Sequence, residues 1–493
     1  MTHSSLAQTA ARGASFTLAA QAIRMVLQLL SVAILARLLS PHDYGLLAIA
    51  LVIVGFGEIF RDFGLTSATV QAPELSSAQR DNLFWINTLI GVSLALLMYA
   101  AAGPVASFTS EPDMVSMTRW LALMFIFNGL ATQHRAMLMR QLKLRSLAII
   151  DVSAAASALA AAIFAAGLGA GYGALIIQQL VAGGFTLVGV VAAGRWAPGR
   201  YSRSASIRSM ITLGWNLVAS NLVTYAAKQA DTVLISLRFG TAPLGIYNRG
   251  FQIVMTPLGQ ARSPLQSVAL PVLARIQQDR ARFDHYVVAA QIALGYIFGI
   301  PLAILAALSD SVVALMLGPG WAGAAPLLRM FAIAGLLSTI AFVGYWVYVT
   351  RALGAQLLRY MLVTSALKIV CIVIGSFFGL LGVAVALAAH TAIAWPISIA
   401  WLSRVTPMSR RRLYVGGARI IVISMAAGVA AAGVSLLTTA DIGQVALGTV
   451  GGLAGAAACM VIPAFRRDAS MLLWFVRLAL KRSGSSRENE LQR

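Results

Sequence analysis

Acidic residues are scarce in this chain. Of its 493 residues only 16 are Asp or Glu, against 37 Lys or Arg, and charged residues of all kinds make up 11%. Soluble domains carry about 25% charged residues, so a conventional water-facing surface is excluded. Cysteine is nearly missing too. Cys371 and Cys459 stand far apart in apolar runs with no CxxC, which excludes a disulfide framework and a thiolate metal site and leaves two small buried hydrophobes. The five histidines (His3, His42, His134, His285, His390) are scattered, so no metal site is expected. Long polar segments are also absent. The formal charge of +21 therefore does not gather on one polar domain, and nucleic-acid binding is a poor explanation for it.

What is present is apolar sequence. Hydrophobic residues make up 59% of the chain and mean hydropathy is +0.82; a soluble core cannot hide that much, so lipid must be the solvent. The first apolar run contains Gln21, Arg24 and Gln28 and no cleavage site, which reads as a retained span rather than a secretory signal. Runs long enough to cross hydrocarbon lie near 16–37, 44–66, 82–102, 114–134, 147–167, 172–194, 210–238, 245–270, 286–309, 324–349, 356–378, 380–402, 415–437 and 443–465. These runs are long, continuous and rich in Ala and Leu, which favours helices over a barrel. The expected fold is an all-α integral membrane protein of about 14 transmembrane helices.

Orientation follows from the loops. Alternate segments are basic: HRAMLMRQLKLR, RWAPGRYSRSASIR, RIQQDRAR, SRVTPMSRRR and the tail from Arg466. With the termini they hold 26 of the 37 Lys and Arg, whereas the opposite loops carry Asp43, Glu111, Asp113, Asp310 and Asp441 and no cation. Both termini are therefore expected in the cytoplasm, and the basic surface meets anionic headgroups. The tail segment DASMLLWFVRLALKR (468–482) is too short and too basic to span; an amphipathic helix on the inner face is expected there.

The chain also resembles itself. LARLLSPHDYGLL aligns with ISLRFGTAPLGIY at an offset of 200, pairing Gly45 with Gly245, Ser40 with Gly240 and Gln28 with Lys228. Arg119 and Arg329 open spans four and ten, and Arg140 and Arg351 follow those spans. Together these echoes suggest two six-helix lobes entering the membrane in the same sense, a parallel repeat. The expected organisation is an N-terminal lobe (1–194), a cytoplasmic basic linker (195–209), a C-terminal lobe (210–402), two extra C-terminal helices (403–465) and a basic tail (466–493).

The remaining cations fall within or at the ends of spans. A charge at the bilayer centre costs at least about 2.5–3.5 kcal/mol on the mild scale, so each must face protein, a partner or a wet cavity. Arg37, Arg119, Arg238 and Arg419 lie near span ends, where they can snorkel. Arg61 follows Glu58 by three residues and precedes Asp62, a local ion-pair spacing. Lys228 and Asp231 are also three apart, which fits either mutual neutralisation or a share in a cavity. Arg24, Arg249, Arg262 and Lys368 have no acid at i±3 or i±4, and their excess charge points to a cavity that attracts an anion. Pro257, Pro264, Pro271 and Pro301 interrupt or bound spans eight and nine, as bending points or as packing kinks.

Four stretches in order carry a family resemblance: ILARLLSPHDYG, LISLRFGTAPLGIYNRGFQI after Asp231, PLGQARSPLQSVALPVLARIQQD and GPGWAGAAPLLRMFAI. With fourteen spans, they resemble the polysaccharide-transporter branch (Wzx-type flippases, including colanic-acid-type exporters) of the multidrug/oligosaccharidyl-lipid/polysaccharide superfamily. The resemblance implies a bacterial inner-membrane flippase, not an enzyme. Its substrate would be an undecaprenyl-pyrophosphate-linked oligosaccharide used in exopolysaccharide, capsule or lipopolysaccharide biosynthesis, moved by alternating access. It also implies a cationic cavity, for which Arg24, Lys228, Arg249, Arg262 and Lys368 are the candidates. Glu58, Asp62 and Asp231 are candidates for charge pairing or for coupling to protons or sodium. No cofactor is expected; a glycan polymerase and glycosyltransferases are the expected partners. A small-molecule antiporter of the same superfamily is the alternative, and should show an anionic cavity instead.

Overall fold

The computed structural model describes residues 3–62, 65–72, 74–203 and 208–471, and no strand occurs among them. The helices are α1 (His3–Leu38), α2 (Pro41–Asp62), α3 (Leu65–Gln71), α4 (Ser77–Thr109), α5 (Asp113–Leu121), α6 (Leu123–Arg140), α7 (Leu144–Gly167), α8 (Tyr172–Gly194) and α9 (Arg208–Phe239). They continue as α10 (Thr241–Ile276), α11 (Arg280–Leu294), α12 (Ile300–Ala307), α13 (Ser309–Met316), α14 (Ala324–Thr350), α15 (Gly354–Ser376), α16 (Gly379–Val405), α17 (Arg410–Ser435) and α18 (Asp441–Ala458).

Over its described residues, every expected span lies mainly on helix. Twelve helical segments among the described residues are long and apolar enough to cross a membrane. The helices at spans seven and eight, α9 and α10, are 32 and 36 residues long but carry more charge, including Lys228, Asp231, Arg249 and Arg262. Large apolar side chains such as Leu358, Leu362, Val370, Ile374 and Phe378 remain exposed along α15 and its end, as expected where hydrocarbon is the solvent. Residues 472–482 of the expected surface helix lie outside the described residues.

Two spans are less regular than their sequence suggested. The fourth divides into α5 and α6 at Ala122. The ninth is α11, a π turn at Gly295–Gly299, and α12. Pro301 lies just past that turn, and it has neither an N–H for the carbonyl four residues back nor room beside it, so a wider turn relieves the clash. By contrast α10 runs unbroken through Pro257, Pro264 and Pro271. The segment between spans nine and ten also folds into α13 and a 3-10 turn at Pro319–Trp321.

The chain comprises two compact units, Met1–Arg249 and Gly250–Arg493. In the first, the N-terminal ends of α2 and α10 meet backbone to backbone. A Cβ on Gly45 would overlap the Thr241 carbonyl, and one on Gly245 would overlap the Pro41 carbonyl. Pro41 pairs with Thr241, and Gly45 with Gly245, at the same offset of 200. Exchanging the two helix ends exchanges the two contacts, which is the pattern of a two-fold related pair. A polar knot stands beside it: Glu111 contacts His42 Nε2 at 3.1 Å and accepts from the Thr241 hydroxyl at 2.6 Å. The second unit packs around Phe283, Trp346, Tyr348, Leu402 and Ile420, all buried, with α17 and α18 paired against α12.

Candidate functional site

Among the described residues of the first unit, four groups of intramembrane charge show different degrees of compensation. Asp151 on α7 takes two bonds from Arg135, at 2.8 and 2.9 Å, and a third from Arg24 at 3.2 Å. The bidentate fork holds Asp151 rigidly, and two cations on one acid leave the cluster with an excess positive charge. Glu58 and Arg61 pair at 2.6 Å, as their helical spacing allows. Asn128 Nδ2 donates to the free Glu58 oxygen at 2.8 Å, and Arg61 also reaches the Thr132 hydroxyl. The side chain of Asp62 lies outside the described residues.

Asp231 is buried on α9. The Tyr247 hydroxyl donates to one of its oxygens at 3.1 Å and the Thr232 amide to the other at 3.1 Å. Lys228, one turn earlier, is exposed. The fourth group is Arg249, buried on α10 with its guanidinium 3.7 Å from the centre of the Tyr44 ring. Among the described residues no carboxylate pairs with it, and its Nε has no hydrogen-bond partner. Cation–π contact returns about 2 kcal/mol when desolvated, less than the cost of burying an ion, so the charge is incompletely compensated.

The second unit holds the remaining candidates. Arg262 donates to the Gly335 carbonyl at 3.0 Å, to Ser338 Oγ at 3.2 Å and to the Thr339 hydroxyl. All three acceptors are neutral, so the guanidinium is hydrogen-bonded but keeps its charge. Lys368 is half-buried on α15 within electrostatic reach of His390, whose Nε2 meets the Thr364 carbonyl at 3.0 Å. Cys371 and Cys459 are free and half-buried rather than enclosed.

Arg24 has no acid at i±3 or i±4, but Asp151 meets it from 127 residues away. Helical spacing registers only partners on the same helix, so a pair between α1 and α7 is invisible to it. Sequence reasoning also missed Arg135, Tyr44 and Tyr247. The two tyrosines stand within the repeated segments, SPHDYG and APLGIYNRG, which is the one signal that pointed to them. Among the described residues no group of His, Cys, Asp and Glu could hold a metal ion.

The fold is that of known membrane transporters. The chain superposes on the lipid II flippase MurJ in an inward closed conformation with a TM-score of 0.69, 14% identity, and coverage of 90% of this chain and 98% of that one. An inward-facing multidrug-resistance transporter of the MATE family matches with a TM-score of 0.62, 14% identity, and coverage of 80% and 95%. In sequence, the lipopolysaccharide biosynthesis protein WzxC of Escherichia coli (strain K12) is 24% identical over 340 residues, 68% of this chain and 69% of that protein. The teichuronic acid biosynthesis protein TuaB of Bacillus subtilis (strain 168) is 25% identical over 333 residues, 66% and 68%. The succinoglycan biosynthesis transport protein ExoT of Rhizobium meliloti (strain 1021) is 24% identical over 339 residues, 69% of each. The chain belongs to the polysaccharide biosynthesis protein family, whose pattern it matches over residues 34–326.

Proposed function

We propose that the chain is a flippase carrying an undecaprenyl-pyrophosphate-linked oligosaccharide from the cytoplasmic to the periplasmic leaflet of a bacterial inner membrane. Arg249 carries this reading. A buried cation with an aromatic face and, among the described residues, no acid partner suits a diphosphate and repels the cationic drugs an antiporter of this fold would export. Arg262, held by neutral acceptors, and the Arg24 cluster, with its excess cation, add the same sign. Relatives named for lipopolysaccharide, teichuronic acid and succinoglycan biosynthesis support a glycan substrate.

The physical task fits. A diphosphate and a hydrated sugar cannot cross hydrocarbon, but cations in a wet cleft replace their water while the lipid tail stays in the bilayer. An inside-negative potential favours outward movement of negative charge by about 2.3 kcal/mol per charge per 100 mV. In this reading both termini are cytoplasmic, and the six-helix halves 1–194 and 210–402 rock about the 195–209 linker. Asp231, Glu58 and Asp62 are the groups through which protons or sodium would couple. A polymerase and glycosyltransferases would act on the substrate after and before transfer. Reconstituted vesicles test the reading: labelled lipid-linked oligosaccharide should change leaflet with the native chain and not with Arg249→Gln. Uptake of a cationic dye with no movement of the glycolipid would overturn it.

A further inference from the structure

The second unit contains a cavity of about 610 Å³ whose lining includes none of Arg24, Lys228, Arg249, Arg262 and Lys368. Its walls are His285 and Val288 on α11, Arg411, Arg412, Val415 and Arg419 on α17, and Met471 beyond α18. On α17 the residues 411, 415 and 419 recur at i, i+4 and i+8, so they share one face. That stripe climbs about 12 Å from the helix start at 1.5 Å per residue. Arg419, at its inner end, pairs at 3.2 Å with Asp468, which is almost fully buried and accepts from the Tyr296 hydroxyl at 3.2 Å. Burial pushes the Asp468 carboxyl up, and the Arg419 charge opposes that.

Asp468 thus balances Arg419 alone. Among the described residues no acid pairs with Arg411 or Arg412, and both are exposed. The cavity therefore presents two uncompensated guanidinium forks at its mouth, with Val288, Val415 and Met471 as an apolar wall. Guanidinium forks match phosphate oxygens in pairs. An apolar wall does nothing for free phosphate but shelters the first methylenes of an acyl chain. A volume within the range of small-molecule sites leaves room for both parts.

We propose that this cavity binds the phosphate headgroup of an anionic membrane phospholipid, with Arg411 and Arg412 on the phosphate and Val415 and Met471 against the chain. It is a lipid site, independent of what the protein transports. A lipid held there would link α11 and α17 with the segment after α18.

Native mass spectrometry of the delipidated, full-length protein tests this with dioleoyl-phosphatidylglycerol as probe and dioleoyl-phosphatidylcholine as the zwitterionic control. Phosphatidylglycerol should bind more tightly, and R411Q/R412Q should weaken it about tenfold or more, because charge-assisted bonds dominate such a contact. V415W keeps every charge but fills the cavity, and should weaken binding as well. R404Q/R410Q removes two cations that do not line the cavity and should leave binding within about twofold. Equal weakening by R404Q/R410Q would mean diffuse attraction and no site. Unchanged binding in V415W would place the lipid elsewhere. Displacement of the lipid by millimolar inorganic phosphate would assign the cavity to a soluble anion instead.

Discussion

Arg24 and Arg249 looked alike in sequence, each a cation in an apolar helix with no acid one turn away. Their surroundings differ. Arg24 shares Asp151 with Arg135 and is 41% exposed, whereas Arg249 is 8% exposed and rests on an aromatic ring. The first is a paired, partly exposed ion. The second is a buried ion with no carboxylate paired to it among the described residues. Compensation, rather than position along a span, separates the two arginines.

Removing the uncompensated charge should have the largest effect. A hydrogen bond to a charged group is worth about 1.5–3 kcal/mol, so Arg249→Gln should slow glycolipid transfer about 10–100-fold in vesicles. Its melting temperature should hold or rise, because a buried ion has been removed. A fall in stability with transfer intact would make Arg249 structural and erase the contrast.

Asp151→Asn should make the Arg24 cluster resemble Arg249 by stranding two cations. Both arginines are more than a third exposed, so neither charge is fully enclosed by protein. The expected destabilisation is about 1–2 kcal/mol, below the 3–5 kcal/mol of a fully buried pair. A denaturation midpoint equal to that of the native chain would show the cluster to be idle.

Tyr44→Leu deletes the ring under Arg249 but keeps the volume apolar. A loss of about 0.5–2 kcal/mol in stability is expected, with Tyr44→Phe retaining most of it. Smallest of all should be Arg24→Gln: Arg135 keeps both of its bonds to Asp151, so transfer should fall by about threefold or less, comparable to an exposed pair. A loss matching that of Arg249→Gln would place Arg24 in the binding machinery too.

The placement of helices was legible because a hydrocarbon solvent demands long apolar runs, and over the described residues each run from 16–37 to 443–465 lies mainly on helix. Finer features were not. Pro301 announced a disturbance in span nine, yet Pro257, Pro264 and Pro271 gave the same signal in α10, which continues through them. Tertiary surroundings decide whether a proline widens a turn. Charge pairing was legible at Glu58 and Arg61, three residues apart, and hidden at Arg24 and Asp151. Tyr44 could not be assigned to Arg249 without the crossing of α2 and α10 that places them together.

That crossing has a consequence for how the sequence is free to change. Arg140 reaches the carbonyls of Thr69 and Ala72, while its repeat counterpart Arg351 lies over the Phe283 ring, so the two copies differ there. Gly45 and Gly245 have no such latitude. A side chain on Gly45 would meet the Thr241 carbonyl and one on Gly245 the Pro41 carbonyl. No substitution elsewhere removes a backbone carbonyl, so at these two positions, 200 residues apart, glycine is held in both copies.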